Sequence, residues 1–570
     1  MSVRLARLGS DVVRPPWTRQ RLQFPLLSLV VFVLFLVAVS QTGVSIGRLF
    51  GSFEAVGNLL ERMWPPVTFE WPRYLAAIRL TFFMVVAATG LALVMSIPFA
   101  ILSARNTTVN RTTFAIARGV VVFTRAVPSI VWALLLVRAI GIGPLAGVLA
   151  MAISSVGMLG KLFADTIEDV DRRPLEALAA NGSGPAQVFI SGILPQVVTA
   201  WISLTLFRLD INVRRSIILG FVGAGGIGFE LQRVLGQLVY RRGLTIIAMI
   251  FVFIAVIEQL SGWARKVLVG NEGPGQNPWK GPGRRKAGPA AVARSPEQKP
   301  EMDSGSGVSG DTVRVPWTRL RFFKVVSLGI GSVLVVVSMA VVNLTPASFV
   351  SAWVKLGGVA RRMFPPDFLT NWEGIAVQML ETVWIALAAT VLGMAIALPV
   401  AILAARNTTP RRWVSVLARG AMLVQRGVPE LILAVLFVVA VGLGPFAGVL
   451  ALTVGAIGFT GKLLADGFET LPDNSLVALT SVGANWWQRI SGGLLPQAMP
   501  MIAGIGIYTL DVYIRAAAIL GIVGAGGIGG ILNSTIQSHS YDRTFAIVLI
   551  IFALIYGFER LAGWARKRLI

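Results

Sequence analysis

Two groups of residues in this chain have types and spacings that could do chemistry. The first is GFVGAGGIG, residues 220–228, in which Gly223, Gly225, Gly226 and Gly228 reproduce the spacing G-x-G-x-x-G. A loop of that spacing holds a dinucleotide's pyrophosphate when it follows a buried strand, opens a helix and has an acidic residue about 20 positions further on. Here a long apolar run precedes it, a hydrophobic segment follows, and no Asp or Glu lies between Glu230 and Glu258. The nucleotide reading therefore fails on context. The two GKL triplets, starting at Gly160 and Gly461, lack both the upstream glycine and the following Ser or Thr of a phosphate loop. The glycines are left with close helix packing and a bend, or with shaping the outer gate of a path through the molecule.

The second group is a set of charges inside apolar runs. Arg125 and Arg426 fall near the middle of one expected span of each half, and Asp210 with Arg214 and Asp511 with Arg515 fall well into another. An arginine at the centre of a membrane helix costs about 2.5 to 3.5 kcal/mol, so each must face a partner or a water-filled path. Asp210/Arg214 and Asp511/Arg515 have i, i+4 spacing with the acid first, the favourable order for an intrahelical salt bridge. Structural pairing and contact with a passing solute are both open for them. Arg125 has no acid at helical spacing, whereas Glu430 follows Arg426 by four positions, so Arg125 is the better candidate for meeting an anion. A planar, permanently charged guanidinium can donate two parallel hydrogen bonds to an oxyanion.

The elements that must position these residues follow from composition and repetition. The chain has 570 residues, 55% hydrophobic and 14% charged, the composition of a membrane protein. Its net charge of +24 is distributed between apolar runs instead of forming one basic domain, which argues against nucleic acid. With no cysteine and one histidine, His539, disulfides, thiolate metal sites and Cys or His catalysis are nearly excluded. The arginine-rich N-terminus precedes an apolar run, 22–47, too long for a cleavable signal, and is read as cytoplasmic.

The glycine cluster returns as GIVGAGGIG, with Gly524, Gly526, Gly527 and Gly529, at an interval of 301 residues from Gly220 to Gly521. RMWPP at Arg62 returns as RMFPP at Arg362, ARNTT at Ala104 as ARNTT at Ala405, and GWARK at Gly262 again at Gly563. One whole unit is thus duplicated. The expected organisation is a first half, 1–270, a Pro/Gly/Ser-rich disordered cytoplasmic linker, 271–311, and a second half, 312–570. Each half offers about six spans; in the first they are 22–47, 80–104, 118–138, 139–160, one beginning near 188, and 243–257. Arg105, Arg111, Arg118, the polar stretch 165–185 and Arg265 with Lys266 mark the cytoplasmic face, which places both termini inside.

Between the fourth and fifth spans lies LEALAANGSGPAQVFISGILPQ, in which Glu176, Ala177, Gly182, Leu194 and Pro195 reproduce E-A-x-x-x-x-G followed by L-P. This resembles the coupling segment of ABC-importer permeases: a short cytoplasmic helix, a glycine turn, and the restart of a membrane helix at Leu-Pro. The second half keeps Gly483, Leu495 and Pro496 but has Val477 in place of the acid, so unequal contacts with two ATPase copies are expected. With the RxVP, GxGPxAGVLA, GKL, LPQ and glycine-cluster motifs in both halves, the chain resembles two fused copies of a phosphonate ABC-transporter permease.

That resemblance implies an all-α integral membrane protein of about twelve transmembrane helices, arranged as two parallel six-helix type I importer units in a bacterial cytoplasmic membrane. It implies no catalytic, metal or cofactor site in this chain, with ATP and Mg bound by two cytoplasmic ATPase subunits. An extracytoplasmic phosphonate-binding protein would deliver the cargo. The competing reading is an ion-coupled secondary transporter with parallel repeats.

Overall fold

The computed structural model describes residues 19–67, 70–269 and 319–569, and among them all regular structure is helical. The segment read as a linker, 271–311, lies outside the described residues. The first half runs α1 (Arg19–Gln41), α2 (Ile46–Met63), α3 (Trp71–Ser103), α4 (Arg111–Ala126), α5 (Ser129–Ile140), α6 (Pro144–Glu168), α7 (Arg173–Ala180), α8 (Pro185–Val188), α9 (Leu194–Gly220), α10 (Gly226–Gly236) and α11 (Tyr240–Val269). The second repeats it as α12 (Arg319–Val341), α13 (Pro346–Arg362), α14 (Trp372–Ala404), α15 (Arg412–Gly427), α16 (Glu430–Val441), α17 (Pro445–Thr470), α18 (Asn474–Ser481), α19 (Trp486–Arg489), α20 (Leu495–Leu520), α21 (Gly529–Gln537) and α22 (Tyr541–Leu569).

Eight helices are long and apolar enough to cross a membrane unaided, and four bent pairs bring the total to twelve if each pair is one span. This corrects two of the expected spans. The run 22–47 is not one helix: α1 ends at Gln41 and α2 leaves it at 58°. Nor is 118–138 straight, because α4 and α5 meet at 90° around Val127 and Pro128. The missing N–H of Pro128 and its clash with the preceding turn end α4 there. The same break, at 83°, precedes Glu430.

α3 and α6 form the central pair of the first half and α14 and α17 that of the second, with α9 and α20 packed against them. Small residues make this close approach possible: a Cβ on Gly147 of α6 would stand 2.7 Å from Met84 of α3. The halves exchange their first helices. α1 packs on α14 of the second half, α12 on α3 of the first, α2 on α16, and α13 on α5. Gly90 of α3 receives Val335 of α12 so closely that its missing Cβ would lie within 3.0 Å of a Val335 methyl carbon. One apolar core consequently runs through both halves, and separate smaller cores lie around Phe163 and Phe468.

Candidate functional site

One end of each central helix pair is tied by the ARNTT repeat. Asn106 donates to the Ile167 carbonyl at 2.6 Å and Asn407 to that of Phe468 at 2.8 Å, so each satisfies a carbonyl in the last turn of α6 or α17. The backbone N–H of Arg105 donates to Glu168 and that of Arg406 to Glu469. From this fixed base the coupling segment projects.

α7 has no buried residue, and Glu176 lies in its first turn. The helix ends in a Schellman turn, with Ser183 N–H donating to Leu178 C=O at 3.1 Å and Gly182 N–H to Ala179 C=O at 3.0 Å. Gly182 takes φ +78°, and Gly483 takes the same value after α18, a conformation that a Cβ would strain. Leu175 and Leu178 then press on Gly192, whose Cβ would lie 2.5 Å from Leu175; Leu476 and Leu479 do the same to Gly493. Neither of these glycines is part of the E-A…G…L-P pattern. The only sequence signal for them is that both halves carry a glycine three residues before the proline.

Leu194 and Pro195 do not restart a helix after a gap. Helix resumes at Pro185, widens into a π-turn over Phe189–Ile193, and returns to α geometry at Leu194. Leu495 and Pro496 do likewise after Ile490–Leu494. The LPQ motif thus marks the exit from a π-turn. Gln196 then folds back, accepting from Asp171 N–H at 3.1 Å and so tying the start of the coupling loop to α9.

On the opposite side of the membrane helices, the glycine clusters form corners between α9 and α10 and between α20 and α21. Gly223, Gly225 and Gly226 take φ of +92°, +81° and +74°, and Gly524, Gly526 and Gly527 take +85°, +80° and +82°. Gly228 and Gly529 lie so close to the carbonyls of Ile217 and Ala518 that a side chain would overlap them. Each corner is clamped twice. Gly143 N–H donates to Gly223 C=O at 3.0 Å and Ile227 N–H to Thr81 at 2.8 Å; Gly444 donates to Gly524 at 2.9 Å and Ile528 to Thr382 at 2.9 Å. The second corner gains one more bond, from Gly527 N–H to Glu381 at 3.2 Å.

Only one of the two i, i+4 pairs forms as its spacing suggests. Asp511 and Arg515 form the expected intrahelical bridge on α20. Asp210 and Arg214 do not pair with each other: Asp210 accepts from Arg265 of α11 at 3.0 Å, and Arg214 reaches Glu258 of α11 at 3.3 Å. The cause is the partner helix, since α11 packs along α9 and presents Glu258 and Arg265 to it. Arg125, in the last turn of α4 beside the 90° break, pairs with Glu559 of α22 and so joins the two halves. The matching pair by repeat symmetry, Arg426 with Glu258, is not made, because Glu258 is bonded to Arg214. Arg426 instead lines a cavity of about 220 Å³ with Arg419, Lys462 and Asp466, three cations to one acid.

Up to twelve spans, a short helical elbow in each half and charges between the helices are the makings of a membrane permease. The chain belongs to the family of binding-protein-dependent transport system inner membrane components, whose model matches it twice, at residues 96–268 and 397–570. It is an ABC-transporter permease subunit, a transport component by family. It is 41% identical over 512 residues to the phosphate-import permease protein PhnE of Mycolicibacterium smegmatis, covering 90% of this chain and 88% of that one. Over 238 residues it is 35% identical to the phosphite transport system permease protein PtxC of Stutzerimonas stutzeri, covering 42% of this chain and 86% of that one. The putative cryptic phosphonate transport system permease protein PhnE2 of Escherichia coli K12 is 33% identical over 21% of this chain and 99% of that one.

Proposed function

We propose that this chain is the complete membrane channel of an ATP-driven importer of phosphorus oxyanions: phosphate, phosphite or phosphonates. The observation that carries the reading is the 41% identity to a phosphate-import permease across nearly the full length of both chains. Two cytoplasmic ATPase subunits bind ATP and Mg and dock on the segments around Glu176, Ala177 and Gly182 and around Gly483. An external binding protein delivers the anion. Both termini and the 271–311 linker lie in the cytoplasm, as the distribution of Arg and Lys suggests. Closure of the ATPases moves the coupling helices, and the leucine-on-glycine contacts at Gly192 and Gly493 pass the movement to α9 and α20.

Arg125, Arg426, Arg214 and Arg515, with Asp210 and Asp511, line the path between the halves and attract the anion without caging it. The glycine corners frame its outer mouth. The test is ATP-dependent accumulation of radiolabelled phosphate, phosphite and methylphosphonate by the chain reconstituted in vesicles with its ATPase and binding protein. Uptake that requires ATP and binding protein is expected. Uptake that survives without ATPase subunits and collapses with an ion gradient would overturn the reading.

A further inference from the structure

The first half holds a polar cluster between α6 and α9 that the second half lacks. Arg208, Asn212 and Arg215 lie at i, i+4 and i+7 on α9, one face of the helix. Arg208 is 0% exposed, yet among the described residues its bonds go only to neutral groups: Nε donates to Ser155 at 2.8 Å, one terminal nitrogen to Ser154 at 3.2 Å and the other to the Met158 sulfur at 3.0 Å. Half-buried Arg215 donates to the same Ser154 hydroxyl, also at 3.2 Å. Asn212, buried between them, donates to Thr89 at 3.0 Å and Ser155 at 3.2 Å and holds the arrangement in place. No carboxylate among the described residues bonds either guanidinium, and Arg515 repels Arg215 across the interface between the halves.

A desolvated guanidinium is poorly compensated by a hydroxyl, which carries no charge and here is shared between two cations. The fold does not require this arrangement. In the second half the positions of Ser154, Ser155, Arg208, Asn212 and Arg215 are held by Gly455, Ala456, Thr509, Tyr513 and Ala516, and Thr509 is satisfied by Thr460 at 3.1 Å. The same backbone therefore folds with none of these charges.

We propose that Arg208 and Arg215, bridged by Ser154, form an oxyanion subsite in the first half alone, occupied by a tetrahedral phosphorus oxyanion as it crosses. The inference rests on the importer reading above. The anion takes Ser154's place as the shared acceptor, with half-buried Arg215 meeting it first and Arg208 completing a forked contact. Ser154 and Ser155 remain as competing acceptors, so the resting bonds re-form and release the anion.

The test uses the whole transporter, this chain with its ATPase and binding protein, reconstituted in vesicles and supplied with radiolabelled phosphate or methylphosphonate. Arg215→Gln is expected to lower ATP-dependent uptake at least about tenfold, the loss of one charge-assisted contact, and to change the ratio of phosphate to methylphosphonate uptake. Arg215→Lys should recover much of the rate, and Arg560→Gln, on the exposed surface, should stay close to wild type. Arg208→Gln is expected to match Arg215→Gln; where it fails to assemble with the ATPase, Arg215→Gln alone decides. Wild-type uptake together with unchanged rate and ratio in Arg215→Gln overturns the subsite and leaves the importer reading standing. Wild-type failure to accumulate any phosphorus oxyanion overturns both.

Discussion

In the first half, Arg214 and Asp210 both reach across to α11, finding Glu258 and Arg265. In the second, Arg515 turns back to Asp511 on its own helix, and Glu559, the counterpart of Glu258, is taken by Arg125 of the other half. The backbone of the two halves matches helix for helix, down to the π-turns and the positive-φ glycines of the elbows and corners, apart from a 3₁₀ turn over Gly521–Val523 that the second half adds. Their charges are wired differently. Duplication preserves what packing demands, and a fused chain frees each copy to change its polar interior without changing the other.

The comparison can be broken most severely at the corners. Gly228→Val and Gly529→Val each force a side chain into a backbone carbonyl, and both are expected to abolish accumulation of folded protein, measured by fluorescence-detected gel filtration. Gly225→Leu and Gly526→Leu are graded versions. A positive φ costs a non-glycine residue about 1 to 2 kcal/mol. A Cβ on Gly526 would in addition lie 2.6 Å from Glu381 and 2.7 Å from Pro445, against 3.4 Å for the nearest atom to one on Gly225. Gly526→Leu should lower the melting temperature more, with the ATPase still co-purifying in both variants. Loss of ATPase association would count against a role for these glycines apart from the coupling segments.

The next largest difference is expected at the elbows. Glu176→Ala should reduce ATPase-coupled transport by about tenfold, equivalent to about 1.4 kcal/mol, and Val477→Ala by less than about twofold, because no charge is lost there. Equal effects would show that the ATPases read the two segments by shape alone.

A smaller effect is expected at the charges joining the halves. Arg125→Ala breaks a partly exposed ion pair with Glu559, for which about 1 kcal/mol is the reasonable scale, and the exchange Arg125→Glu with Glu559→Arg should restore thermal stability. Arg426→Ala removes no ion pair among the described residues and should leave stability unchanged while altering transport. Equal losses of transport in Arg125→Ala and Arg426→Ala would argue for a symmetric path. Last is the contrast between Asp210→Asn, which loosens α9 from α11 by about 0.6 kcal/mol, and Asp511→Asn, which leaves both helices docked and breaks only the intrahelical pair with Arg515 on α20. Thermal unfolding of the two variants in one detergent measures the difference.

Much of the fold is legible in the sequence. The 301-residue repeat, the apolar runs of α3, α6, α14 and α17, and the glycine after each coupling helix are local signals, set by side-chain chemistry within a few turns. The bends were not recovered, although Pro128 and Pro429 mark them, because an apolar run long enough to span reads as one helix unless the proline is given priority. The i, i+4 spacing of Asp210 and Arg214 misled for another reason. Local spacing measures only what a helix can offer itself, and α11 offered each of them a different partner.

The sequence by itself determined the class of this protein: a duplicated, all-helical permease with a glycine corner and a coupling elbow in each half. Those features are written in composition, period and backbone conformation, which short stretches of chain decide. Tertiary structure alone decided that the first helices cross to the opposite half, that Glu258 answers Arg214 instead of Arg426, and that Arg208 is sealed among two serine hydroxyls and a methionine sulfur, with no acid bonded to it among the described residues. Each of these depends on which helices meet. That choice is made by the packing of small and large side chains over the whole molecule, and no window of sequence contains it.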